Sequence, residues 1–98
     1  MIHKDLAIRW QKMSLSEQMG NIGSEFHRTL KDKEAVWRLL ELLDLTISDK
    51  HHRNKLTELT RLREAICDYF LGNNQYKINP QNLEDYFLYF ACQNIKMM

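Results

Sequence analysis

The chain has 98 residues, 44% hydrophobic and 28% charged, with one proline and three glycines; it holds apolar material for one core, and this composition excludes a disordered chain or two independent domains. Fourteen Lys and Arg against thirteen Asp and Glu leave a formal charge of +1, which excludes a molecule drawn as a whole onto phosphate or anionic lipid. Near-zero charge also removes the long-range repulsion that keeps copies apart.

In residues 4–13, Leu6, Trp10 and Met13 recur at i, i+4 and i+7, a helical stripe too short to be stable unless it docks on something else. Ser14-Leu15-Ser16-Glu17 has the form of a capping box, with a serine oxygen for the third amide and a glutamate reaching back. A second helix starts there and carries Leu15, Met19, Ile22, Phe26 and Leu30 on one narrow apolar face. Gly20 and Gly23 interrupt it, each costing up to about 1 kcal/mol against alanine. Gly23 lies at the edge of the stripe, which leaves two readings: the close approach of another helix, or a local bend.

After a polar corner at Lys31-Asp32-Lys33, a third helix runs to about Ser48 with Val36, Leu39, Leu40, Leu43 and Ile47 on its stripe. Leu42 lies off that stripe, Leu45 almost opposite it, and Trp37 on the flank. A helix apolar on more than one side is either central or part of an interface. Residues 49–54 read as a polar link, and a fourth helix from Lys55 to Leu71 buries Leu56, Leu59, Leu62, Ile66 and Phe70 before Gly72 stops it.

Asn79 then caps a last helix with Pro80 at its first position, and Ile78 with Leu83 has the spacing of a hydrophobic staple. The run Tyr86-Phe87-Leu88-Tyr89-Phe90-Ala91 is apolar or aromatic around nearly the whole circumference. It reads either as a surface for self-association or as wedging inside one subunit, and tyrosines suit the former because their hydroxyls stay wet. No strand-like alternation or internal repeat is present. The pattern predicts a single all-α domain over 1–98, an up-and-down helical bundle of four main helices plus a short N-terminal helix.

Motifs of catalysis and ligand binding are missing. His3, His27, His51 and His52 lack metal-ligand spacing, and adjacent His51 and His52 read as a solvated helix start. Cys67 and Cys92 stand 25 positions apart without a C-x-x-C pair, as reduced small hydrophobes do. There is no glycine-rich phosphate loop, no nucleophile elbow, no secretory leader and no stretch approaching the roughly 18 apolar residues of a membrane span. The expectation is a cytoplasmic protein that is not an enzyme and uses no metal or cofactor.

Two features stand out from that background. Arg63 lies on the apolar face of the fourth helix, so its guanidinium needs a buried carboxylate, with Glu25 and Asp44 as candidates. The sharper alternative is a small anion pocket of Arg63 with Ser24, Glu25 and Asp68. Residues 50–63 also carry a local charge of +4, and Lys50, Arg53 and Arg61 are the candidates for contact with a nucleic-acid backbone.

The segments WQKMSLSEQMGNIGSEF, LELLDLTISDK and LTRLREAICDYFLGN resemble a group of short prokaryotic proteins with a W-x-x-M-S…NIGSE opening, an ELLDLTI middle and an RLRE…CDYF segment. The resemblance covers about residues 10–90. It implies a compact helical domain and brings no catalytic residue with it. The functional expectation is an interaction or accessory protein, a homo-oligomer or partner of another protein, with Trp37, Leu42, Leu45, Tyr86 and Tyr89 as anchors. The alternative is a nucleic-acid-associated accessory protein using residues 50–61.

Overall fold

The computed structural model describes residues 4–75 and 77–96, with side chains for 5–75 and 77–90; His3 and the side chains of Ala91 and Cys92 lie outside them. Five helices follow in order among the described residues: α1 (Lys4–Gln11), α2 (Leu15–Lys31), α3 (Val36–Ser48), α4 (Leu56–Leu71) and α5 (Pro80–Lys96). Among the described residues there is no strand, so the all-α class holds.

Local chemistry sets the helix starts. The Glu17 amide donates to Ser14 Oγ over 3.2 Å and the Ser14 amide to Glu17 Oε1 over 3.4 Å, closing the capping box of α2. Asn79 Oδ1 accepts the Gln81 amide over 3.0 Å at the start of α5. The two links expected as plain polar segments are short 3-10 turns, Lys33–Ala35 and Lys50–Lys55. Each is capped by an aspartate: Asp32 Oδ1 accepts the Glu34 amide, and Asp49 Oδ1 the His51 amide. Gly72 ends α4 with its amide on the Asp68 carbonyl but in extended backbone; the left-handed residues that follow are Asn74 and Lys77.

Helix α2 is the centre of the packing, with α3 and α5 against it, while α4 packs on α3 and α1 on α3. Met19, Ile22, Phe26, Leu39, Leu43, Leu59 and Ile66 are shielded from solvent. The Phe26 ring meets Phe70 of α4 at 5.7 Å between centroids and Phe87 of α5 at 5.6 Å, so one aromatic side chain joins three helices. Burying a phenylalanine contributes about 1.5–3 kcal/mol before the added aromatic contacts.

Gly23 is a point of close approach between α2 and α5. A Cβ built on it would stand 2.6 Å from Phe87 Cβ, whereas one on Gly20 would meet nothing within 4 Å. Of the two readings of Gly23, close approach of a neighbouring helix is the one the geometry supplies. The second apolar side of α3 is also accounted for within the subunit. Leu42 and Leu45, expected as interface anchors, are 4% and 6% exposed. They are corrected to core residues, and beside Leu42 it is α1, too short to stand alone, that has docked on α3. Leu42 shares a small recess with Leu6 and Trp10 of α1, with Met13 just beyond it, and with Asn21, Ser24 and Glu25 in the middle of α2.

Candidate functional site

A polar network lies beneath α1. The Trp10 indole N–H donates to Thr46 Oγ1 over 2.9 Å, and the Gln18 amide nitrogen donates to the Trp10 carbonyl over 2.8 Å and to Asp49 Oδ2 over 3.3 Å. Trp10, Gln18, Thr46 and Asp49 are all buried. Burial would raise the Asp49 carboxyl, but the His51 amide and ring, the Gln18 amide and the His52 charge together hold it below the ordinary carboxylate value. His51 Nδ1 is 2.8 Å from Asp49 Oδ1 and His52 Nε2 is 3.4 Å from Oδ2. The pair expected as a solvated helix start is thus divided: the His51 side chain is exposed, while that of His52 is 11% exposed against Asp49. The network ties three helices and a turn together, which makes it a structural clasp.

Arg63 takes Asp44, and not Glu25, as its carboxylate. Its Nε donates to Asp44 Oδ1 over 2.6 Å and its Nη2 to Oδ2 over 3.3 Å, the bidentate geometry that suits guanidinium. Asp44 holds the Arg63 pKa above its ordinary value. The side chains are 35% and 46% exposed, so the expected buried pair is corrected to one at the edge of the α3–α4 contact. Long arginine stems let the charge reach water from an apolar face. Glu25 instead stands 3.7 Å from Arg28 on its own helix, and Ser24 lines a groove on α2 against α5.

The interface candidates separate in the same way. Trp37 is 67% exposed and Tyr89 59%, with Leu88 beside it at 61%. Tyr86 is only half-buried and its hydroxyl is already committed, donating to Glu58 Oε1 over 2.6 Å. Burial first, and then Glu58, push its pKa well above the ordinary tyrosine value. Lys50 and Arg53 are exposed in the 3-10 turn, whereas Arg61 lines a groove between α4 and α5.

Helix α5 is therefore flanked by two open grooves. The one against α2 encloses about 460 Å³ over Gly20, Gly23, Ser24 and Leu88, and its rim holds His27 with Nδ1 2.5 Å from Glu84 Oε1. The one against α4 encloses about 490 Å³, with Arg61 and Lys77 beside Leu62, Ala65, Ile78 and Leu83. Among the described residues no group of three or more His, Cys, Asp or Glu gathers in metal-binding geometry, and no helix is long and apolar enough to cross a membrane.

No family model, curated protein or solved structure matches this chain. Sequence reasoning missed Gln18, Thr46, Asp49, Glu84 and Lys77. Gln18 and Thr46 sit at the margins of apolar stripes and carried a faint signal; the other three gain their roles only from chain segments folded against them.

Proposed function

We propose that α2 to α5 form an up-and-down bundle with α1 laid across it, and that the molecule acts as a non-enzymatic interaction protein that self-associates. The observation that carries this reading is the placement of Trp37. A tryptophan at 67% exposure on a helix whose neighbouring leucines are buried is an uncommon use of the residue most enriched in interface hot spots. Leu88 and Tyr89 on α5 supply a second exposed apolar pair. The near-zero net charge sets little long-range repulsion against association. The resemblance of the NIGSE and RLRE segments to short helical prokaryotic proteins belongs to the same proposal, as does a cytoplasmic setting with Cys67 reduced.

The test is solution mass by light scattering across protein concentration, for the parent chain and for Trp37→Ser and Tyr89→Ser. The parent chain should be a dimer or larger, and the substitutions should shift it toward monomer without loss of helicity. A parent chain that stays monomeric throughout contradicts the reading.

A further inference from the structure

The groove between α4 and α5 has the chemistry of a small-molecule site. Its volume of about 490 Å³ falls within the roughly 300–1,000 Å³ of ligand pockets. Leu62, Ala65, Ile78 and Leu83 give it an apolar lining. Glu58, the carboxylate in that lining, is occupied by the Tyr86 hydroxyl at 2.6 Å and by Lys55 at 3.8 Å. Arg61 and Lys77 line the same groove, and among the described residues neither side chain has a hydrogen-bond or ion-pair partner.

The connection that positions Lys77 is organised by Asn74. Its amide donates to the Asp68 carbonyl over 3.1 Å, its carbonyl accepts the Lys77 amide over 3.0 Å, and its Oδ1 accepts the Ile78 amide over 3.0 Å. The groove is thereby bounded by α4, by α5 and by the segment that joins them, which favours a compact ligand over a through-running helix. An apolar lining with two unpaired cations complements a molecule with an apolar body and a single anionic end. A guanidinium fork can hold a carboxylate through two parallel hydrogen bonds.

We propose that this groove binds a small amphiphilic carboxylate, its body against Leu62, Ala65, Ile78 and Leu83 and its head between Arg61 and Lys77. The site is separate from the proposed self-association surface, since neither Trp37 nor Tyr89 lines it.

The experiment is a titration of the full chain with octanoate followed by amide chemical shifts, beside octan-1-ol and acetate as probes lacking the head or the body. Octanoate should shift amides of residues 58–65 and 77–86 saturably, and each control should bind at least about tenfold more weakly. The exposed double variant Arg61→Gln, Lys77→Gln should keep its spectrum elsewhere and bind octanoate about tenfold more weakly. Shifts scattered over the chain, equal binding of octan-1-ol or acetate, or an unchanged affinity in the double variant would each overturn the proposal.

Discussion

The indole N–H of Trp10 and the hydroxyl of Thr46 are joined by a buried hydrogen bond of 2.9 Å between residues 36 positions apart in the chain. It is the contact that gives an eight-residue helix, unstable in isolation, a fixed place on α3. Thr46→Val keeps the shape of the side chain and removes the acceptor, leaving a buried indole donor unpaired. The expected cost is about 1–3 kcal/mol. Hydrogen exchange should show the loss concentrated in α1, with the α2 core amides largely protected.

The two glycines of α2 should respond to the same substitution with opposite signs. Gly20→Ala adds a methyl where nothing lies within 4 Å, and should stabilise the helix by about 0.5–1 kcal/mol. Gly23→Ala places a methyl against Phe87 Cβ, near the α5 backbone and unable to rotate away, and should destabilise by about 1–3 kcal/mol. Urea denaturation of both variants checks the pair.

These glycines also mark how far the sequence alone could be read. The periodic stripes, the capping box at Ser14 and the Asn79-Pro80 start are local signals, each written in a few neighbouring residues, and the structure places helices at all of them. Burial is a property of the folded neighbours. Leu42 and Leu45 looked like surplus apolar surface because the stripe of α3 was already full, yet both are buried within the subunit, Leu42 beside Leu6 and Trp10 of α1. Asp49 read as part of a polar link because nothing local shows that Gln18, from α2, will meet it. Trp37 was legible as a flanking aromatic, but its exposure depends on which helices pack beside α3.

Asp49 gives the clasp a pH dependence. Its folded pKa is lowered from 3.8, so its contribution is complete above that value and is lost as pH falls through the lower folded value. Asp49→Asn should therefore be destabilised by about 1–3 kcal/mol near neutrality. The gap between variant and parent should close as pH drops below 3.8. Thermal melts from pH 7 downward would reveal a gap that widens in acid if the sign were wrong.

The Arg63–Asp44 pair should matter far less than its geometry suggests. Both side chains are more than a third open to solvent, where screening and side-chain entropy hold such pairs to about 0–1 kcal/mol. Asp44→Asn should lower stability by no more than about 1 kcal/mol, and salt should reduce the difference further. A loss of several kcal/mol in denaturant unfolding would mean the pair is desolvated in an assembly.

The central claim, that self-association covers Trp37, is tested most directly by acrylamide quenching of tryptophan fluorescence against protein concentration. Trp10 is 2% exposed and Trp37 67%, and these are the two tryptophans of the chain, so the quenchable emission reports Trp37. The account predicts that this fraction falls and the emission shifts to shorter wavelength as concentration rises through the association range. A quenchable fraction that stays constant from the lowest to the highest concentration would contradict it.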